Sequence, residues 1–287
     1  MEAEKPVADF NQQQDRVQHH LAELMMRPEE QISLAEAALA IAASEYPNLD
    51  AQRYIRRLDG MAETLAGRVA GETDPFRIIA QINHFLYQEE GFFGNTQEYY
   101  DPRNSFLNEV LDRKVGIPIT LSTIYLEIAE RLRFPLVGVG MPGHFLVKHP
   151  YFQILIDPFG QGRILTESDC KTRMEQVLGD SVEFHPSFLD GVGKRHIVMR
   201  MLNNLRAIYL NARQYAKALE ITDLSLAVQP DSAEEHKQRA ALLLHLRRYS
   251  EAAAELHFYV EHSPDADDAQ EVRETLANLR RTIAQMN

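Results

Sequence analysis

Apolar side chains recur at intervals of three or four residues in several segments before residue 135. This spacing places them on one face of a helix, so it predicts a series of amphipathic helices. Pro118 suits the first turn of the last of these helices, because the N–H that proline lacks has no helical partner there. The apolar positions are Leu34, Ala37, Ala38, Leu39 and Ile41; Ile55, Leu58, Met61 and Leu65; Ile78, Ile79, Ile82 and Leu86; and Ile124, Ile128 and Leu132.

The pattern changes after residue 135, where short segments rich in β-branched and aromatic residues follow one another. They are residues 136–141, 145–148 and 152–156, and Pro142-Gly143 and His149-Pro150 separate them. Such spacing predicts short strands joined by turns. Helices followed by an antiparallel meander indicate an α+β fold, not a doubly wound parallel sheet.

The last third of the chain repeats itself with a period of 34 residues. The recurring positions are Tyr215 and Tyr249, Ala218 and Ala252, and Pro230 and Pro264. This period resembles that of the tetratricopeptide repeat, in which two helices pack closely. Arg206 and His236 depart from the residues usual in that repeat. We predict a first domain over residues 1–190, a linker at residues 184–193, and two full repeats with a capping helix over residues 191–287.

The formal charge of the chain is −12, and the predicted first domain accounts for all of it. Residues 1–190 hold 17 basic and 29 acidic side chains, whereas residues 191–287 hold 13 of each. Phosphate binding needs clustered Lys and Arg, so a nucleic-acid partner is not expected. The start lacks a basic and apolar signal segment, and no apolar run approaches about 18 residues. We therefore expect a soluble, cytoplasmic protein with no membrane partner.

The sequence contains no motif typical of a metal, redox or nucleotide site. Cys170 is the single cysteine and the eleven histidines are scattered, so we expect no disulfide framework, no metal and no cofactor. Residues 138–143 read Gly-Val-Gly-Met-Pro-Gly, which matches a dinucleotide-binding motif in its letters. That motif must open a helix, whereas a proline and a predicted strand follow here. We interpret the segment as a turn.

His144 and Asp157 are the candidate chemical pair. His144 begins one predicted strand and Asp157 ends the next, so adjacent antiparallel strands would bring the two side chains within hydrogen-bonding reach. A carboxylate there would fix the imidazole tautomer and support base catalysis. A structural hydrogen bond without catalysis is the simpler interpretation, and the spacing leaves both open.

Several ordered motifs resemble a transglutaminase-like core. They are Gly-Ile-Pro-Ile-Thr-Leu-Ser at 116–122, Pro-Gly-His-Phe-Leu-Val at 142–147 and Ile-Asp-Pro-Phe-Gly at 156–160. Gly-Phe-Phe-Gly-Asn at 91–95 and Tyr-Tyr-Asp-Pro-Arg-Asn-Ser at 99–105 add a narrower resemblance to bacterial SirB-type proteins. Those proteins join a transglutaminase-like domain to C-terminal tetratricopeptide repeats. The resemblance covers nearly the whole chain and implies a regulatory or accessory role.

Transglutaminase-like enzymes use Cys, His and Asp in that chain order. The resemblance implies that His144 and Asp157 occupy the second and third positions. The nucleophile position then falls on Pro118, which has no reactive group. Thr120 and Ser122 lie near the same helix start and are candidate substitutes, although a hydroxyl needs stronger activation than a thiol.

These features lead to two predictions of function. The first is a non-catalytic regulator or adaptor that binds a protein or peptide partner through the repeat surface or the degenerate cleft, unless so few repeats only brace the first domain. The second is a hydrolase or acyl-transfer enzyme with Thr120 or Ser122 as nucleophile. Cys170 lies outside the family's chain order and is interpreted as structural.

The polar, aromatic loop before residue 106 would help to shape a pocket or partner surface. Alternatively, its polar side chains only satisfy backbone groups, as turn residues commonly do. The candidate binding residues are Asn95, Tyr99, Tyr100, Asp101, Asn104 and Ser105.

Overall fold

The chain forms two compact units in the computed structural model, which describes residues 7–179 and 182–286. One unit is Leu24–Met201, and the other combines the described residues of Met1–Glu23 and Leu202–Asn287. Helices predominate and accompany a small antiparallel sheet, so the predicted α+β fold is confirmed. The domain boundary predicted at residue 190 stays a prediction, because compactness alone does not test independent folding.

Helices α1 to α6 occupy the first part of the chain. They are α1 (Val7–Met26), α2 (Leu34–Glu45), α3 (Ala51–Val69), α4 (Pro75–Asn83), α5 (Leu107–Arg113) and α6 (Pro118–Arg131), and a π-helical turn (His84–Glu89) continues α4. Ser33 and Asp50 cap α2 and α3 by accepting hydrogen bonds from backbone N–H groups in the first turn. Pro118 stands in the first turn of α6, as predicted, and residues 118–129 of that helix are all buried.

The strands form a two-stranded and a five-stranded sheet. A parallel pair joins β1 (Phe93–Gly94) to β2 (Val115–Gly116). The larger sheet contains β3 (Val137–Val139), β4 (Leu146–Lys148), β5 (Leu155–Asp157), β6 (Arg163–Leu165) and β7 (Gly191–Val192), in the spatial order β6-β5-β4-β3-β7, and every neighbouring pair is antiparallel.

The sheet confirms part of the strand prediction and corrects another part. The predicted meander is present as β3, β4 and β5. Residues 138–143 run from β3 into a turn that leads to β4. No helix follows them, which agrees with the interpretation of this segment as a turn and not as a dinucleotide-binding motif. The interpretation of residues 184–193 as a linker was wrong, because they contain a short 3₁₀ helix (Pro186–Leu189) and β7, which pairs with β3. A two-residue strand is too short to show in the hydrophobic pattern.

Helix α7 (Glu167–Leu178) packs against one face of the sheet through Cys170 and Met174. Cys170 is fully buried in an apolar cluster that includes Val139, Leu146 and Leu155. This packing agrees with the interpretation of Cys170 as a structural residue, since buried free cysteine behaves as a small apolar side chain.

The helices that follow match the predicted repeats. They are α8 (Lys194–Asn211), α9 (Tyr215–Val228), α10 (Ala233–His245), α11 (Tyr249–His262) and α12 (Ala269–Met286). Ala218 and Ala252 are fully buried, which is consistent with the close helix packing that small residues allow. The unusual Arg206 is neutralised by an ion pair with Glu235. Among the described helices, none is long and apolar enough to cross a membrane.

Candidate functional site

His144 and Asp157 meet because β4 and β5 are antiparallel neighbours. His144 lies just before β4, Asp157 ends β5, and Val147 pairs with Ile156 between them. His144 Nε2 lies 2.8 Å from Asp157 Oδ1, and both side chains are almost completely buried. Because a carboxylate accepts hydrogen bonds, Nε2 carries a proton whether or not the ring is charged. This arrangement would leave Nδ1 as the basic nitrogen.

Arg173 also contacts both His144 and Asp157, and the sequence gave no indication of this. Its Nη2 lies 3.2 Å from Asp157 Oδ2, and its Nη1 lies 3.1 Å from His144 Nε2. Burial disfavours the Asp157 carboxylate, but the hydrogen bond from His144 and the charges of His144 and Arg173 outweigh burial and hold the pKa of Asp157 below its usual value. The Asp157 carboxylate therefore contacts an imidazole through Oδ1 and a guanidinium through Oδ2.

The position of Arg173 has a chemical consequence. In a working triad the aspartate stabilises the imidazolium that forms when histidine takes the proton of the nucleophile. Here a permanent positive charge lies beside the same ring nitrogen and already pairs with the carboxylate. The geometry resembles a triad, but its carboxylate is shared with an arginine.

Arg200 on α8 holds the turn that carries His144. Its guanidinium donates hydrogen bonds to three backbone carbonyls, those of Gly140 at 2.8 Å, Met141 at 2.7 Å and His144 at 2.9 Å. Burial lowers the pKa of Arg200 below its usual value. The planar fork of donors in arginine suits such a set of acceptors, so Arg200 is a positioning residue for the His144 turn. Arg200 lies 56 residues after His144, so no local sequence pattern predicts their contact.

The Thr120 hydroxyl is occupied at the start of α6. Its Oγ1 accepts a hydrogen bond from Ile117 N at 3.1 Å and lies 2.8 Å from the Asn104 carbonyl oxygen, to which it donates. The first contact closes the N-terminus of the helix, where backbone N–H groups have no helical partner. Removing the Thr120 proton would therefore take this donor away from the Asn104 carbonyl.

Ser122 and Cys170 are the other nucleophile candidates in this region. Ser122 is fully buried, and its Oγ has no hydrogen-bond partner. Within the described residues, no hydrogen bond joins His144 to either Thr120 or Ser122. Burial and the nearby acidic charges raise the pKa of the Cys170 thiol to about 11, so it stays protonated and unreactive at neutral pH.

The polar loop contributes aromatic rings that pack against Phe159, the neighbour of His144. The Tyr99 and Phe159 ring centroids are 6.1 Å apart, and the Phe159 ring lies 6.0 Å from the His144 ring. Tyr100 stacks edge-on against Tyr99 and is 70% exposed. A Cβ on Gly94 would lie 2.6 Å from the Phe159 ring, so this glycine lets β1 approach the ring closely. Tyr99 and Tyr100 thus form an aromatic edge that reaches His144 only through the Phe159 ring.

The remaining polar residues of the loop mostly stabilise the loop itself. Asn95 and Asn104 are buried and contact each other, with 3.3 Å between Nδ2 and Oδ1. Asn95 accepts a hydrogen bond from Glu98 N, Asn104 donates one to Glu98 O, and Asp101 caps the short helix Pro102–Asn104. Ser105 is buried, and its Oγ has no partner.

Metal binding finds no support in these side chains. No group of three or more His, Cys, Asp or Glu residues that could hold a metal ion occurs in the described part of the chain. His144 and Asp157 are joined by an arginine, whose charge repels a cation.

Two family models match the chain. The transglutaminase-like superfamily matches residues 52–203, which include His144, Asp157, Arg173 and Arg200, and the tetratricopeptide repeat matches residues 205–277. The chain is 36% identical to a UPF0162 protein of Xylella fastidiosa over 256 residues, which is 88% of this chain and 91% of that protein. It is 28% identical to a UPF0162 protein of Vibrio cholerae over 86% of this chain and 92% of that protein.

A eukaryotic protein also shares part of the sequence. The chain is 31% identical to F-box only protein 21 of Mus musculus over 183 residues, which cover 59% of this chain and 28% of that protein. No solved structure matches the chain.

Proposed function

Because this chain belongs to the transglutaminase-like superfamily and to the bacterial UPF0162 family, consistent with a SirB-type protein, we propose that it is a non-catalytic regulator or adaptor that binds a protein partner. The observation that carries the proposal is the start of α6. Pro118 stands where the family resemblance requires the nucleophile, and the neighbouring Thr120 hydroxyl is committed to the helix cap. A site without an activated nucleophile has no acyl-transfer chemistry.

The charges around His144 support the same proposal. Arg173 pairs with Asp157 and lies beside the imidazole, so the carboxylate is shared between His144 and Arg173. A buried carboxylate that contacts two cationic or hydrogen-bonding partners stabilises the folded state. The cluster can therefore have a structural role in a protein that performs no acyl transfer. His144, Asp157 and Arg173 then hold β4, β5 and α7 together.

The repeats supply the partner-binding half of the proposal. Tetratricopeptide repeats commonly bind proteins, and the repeat-containing unit has a groove of about 370 Å³ lined by residues that include Leu226, Ala227 and Arg239. An arginine in place of the half-buried Ala227 would fill this groove with a charged side chain. Ala212 is exposed in the turn after α8, so the same substitution there is a matched control.

The binding proposal is tested by photo-crosslinking the full chain in cells. We expect a discrete crosslinked complex with the wild-type chain, with His144→Ala and with Ala212→Arg, and its loss with Ala227→Arg. A complex that Ala227→Arg leaves intact would remove the repeat groove from the proposal. Loss of the complex with His144→Ala alone would move binding to the His144 site.

A hydrolase or acyl-transfer enzyme is the second candidate, because the buried His144–Asp157 pair is the arrangement that a hydroxyl nucleophile needs. Labelling with a fluorophosphonate probe distinguishes the two proposals. We expect no labelling of the wild-type chain beyond that of His144→Ala. Labelling that depends on His144 and disappears with Ser122→Ala would replace the adaptor proposal by an enzymatic one.

A further inference from the structure

Helix α1 forms one wall of the groove in the repeat-containing unit. Its residues up to Glu23 belong to that unit, although most of the chain separates them from the repeats in sequence. Gln18 of α1 lines the groove of about 370 Å³ together with Leu226 and Ala227 of α9. The surface to which the proposed function assigns the partner is therefore already in contact with a helix of the same chain.

One face of α1 is turned toward the repeats. Gln14, Val17, Gln18 and Leu21 are spaced three or four residues apart, which places them on one side of the helix. Val17 and Leu21 are buried, whereas the four residues between the members of this face are exposed. Because Gln18 lines the groove, this face is the one that packs there. The groove thus accepts an amphipathic helix.

The contact that α1 makes is incomplete. Gln14 Nε2 is buried without a hydrogen-bond partner, and an unpaired buried donor destabilises the contact that buries it. The groove beside Gln18 is also a volume that α1 does not fill, whereas well-packed interiors leave few voids larger than a water molecule. A helix that filled the groove and paired its polar groups would bind more tightly than α1 does.

The charges of the groove wall pair with one another. Arg239 on α10 contacts Asp223 Oδ1 on α9 at 2.6 Å and Glu255 Oε1 on α11 at 2.5 Å. His236 Nδ1 lies 2.5 Å from the other carboxylate oxygen of Glu255. A charged side chain entering the groove would compete with these contacts, whereas a neutral amide such as Gln18 does not. The wall therefore favours an uncharged helical face.

We propose that α1 is a displaceable internal ligand of the repeats, and that the protein partner binds by placing an uncharged face of an amphipathic helix where α1 lies. A helix in a groove is a recurring mode of recognition. This inference rests on the proposed function, because it assumes that the repeat groove binds the partner. A tethered competitor has a high local concentration, so α1 weakens partner binding until it is released.

The test measures binding of a fluorescein-labelled peptide of residues 7–26 to the full chain by fluorescence anisotropy. Val17→Asp in the full chain places a charge on the inner face of the tethered helix, so this variant should bind the unaltered peptide at least tenfold more tightly than wild type does. His20→Asp introduces the same residue on the exposed face and should leave peptide binding unchanged. Adding Ala227→Arg to Val17→Asp should abolish binding, because the arginine fills the groove.

A second variant tests the same contact without adding a buried charge. Gln14→Leu in the full chain removes the unpaired donor, so α1 should be held more tightly and its backbone amides should exchange hydrogen at least fivefold more slowly. Gln12→Leu is the matched control, because Gln12 is exposed, and it should leave exchange unchanged. Gln14→Leu in the peptide should strengthen its binding to the Val17→Asp chain at least fivefold.

Several outcomes overturn the proposal. They are equal peptide affinity of wild type and Val17→Asp, an equal gain with His20→Asp, and exchange of α1 that Gln14→Leu leaves unchanged. Peptide binding that survives Ala227→Arg would place the peptide outside the groove. A wild-type dimer that Val17→Asp dissociates would mean that α1 occupies the repeats of a second copy. If the crosslinked complex is nevertheless lost with Ala227→Arg, the proposed function stands and only the role of α1 is refuted.

Discussion

The ion-pair cluster of His144, Asp157 and Arg173 predicts how stability should depend on pH. Asp157→Asn keeps the shape of the side chain but removes its charge. The amide oxygen can still accept from His144 Nε2, and the amide nitrogen then faces Arg173 Nη2, where two donors meet across a distance that is now 3.2 Å. One charge-assisted contact is lost and another becomes neutral.

The expected cost is about 2–3 kcal/mol at pH 7, since a hydrogen bond to a charged group contributes about 1.5–3 kcal/mol. The pKa of Asp157 is lowered in the folded chain, so its contribution is complete above the ordinary aspartate pKa of about 3.9 and is lost as the pH falls through the folded-state pKa. The wild-type chain and Asp157→Asn should therefore approach equal stability near the acid end of the range.

Hydrogen exchange measured by mass spectrometry on peptides from β4 and β5 reports this stability locally. At pH 7, and after correction for intrinsic rates, we expect exchange in Asp157→Asn to be roughly 30- to 150-fold faster, which corresponds to the expected cost at 1.4 kcal/mol per tenfold change. Asp267→Asn, an exposed substitution of the same kind, is the control and should have no effect. Equal exchange in Asp157→Asn and wild type at pH 7, or an undiminished difference at pH 3, would refute the reasoning.

Three further predictions concern the surroundings of this cluster. The Cys170 thiol should resist a thiol reagent at pH 7.5 in the folded chain and react fully in urea, since burial and acidic neighbours raise its pKa to about 11; rapid reaction without urea would contradict this. Arg200→Met should lower the free energy of unfolding by about 2–4 kcal/mol in urea titrations, because it removes the guanidinium donors from three carbonyls, of which only that of Met141 keeps a backbone partner, His144 N; an unchanged midpoint would argue against the positioning role. Gly162→Ala should cost more than about 1 kcal/mol in the same assay, because Gly162 has φ +73° and its Cβ would lie 1.9 Å from Asn83 Oδ1, whereas Gly67→Ala on α3 is the tolerated control.

Local patterns were enough to predict much of this fold. The three-to-four-residue spacing of apolar positions predicted the main helices, and Pro118 predicted the first turn of α6. Helix periodicity and first-turn chemistry depend on neighbours a few residues apart, so a single sequence carries them. The 34-residue period likewise predicted the repeats, because each helix pair packs in the same way as the one before it.

The candidate site was predictable only in part. The pairing of His144 with Asp157 follows from the alternation of short strands and turns. Arg173 and Arg200 were missed because arginines on helices are common and ordinarily exposed, and no local pattern marks one that reaches a carboxylate or a carbonyl on another element. The commitment of the Thr120 hydroxyl to Asn104 was equally hidden, since sixteen residues separate the two.

The sequence by itself determined the main helices, the meander of β3, β4 and β5, the repeats and the absence of a cysteine at position 118. The tertiary structure decided the chemistry around His144, because a charge acts through space and only the folded chain brings Arg173 within 3.2 Å of Asp157. Residue types and spacing fix which groups exist, whereas distances and burial fix what those groups can do.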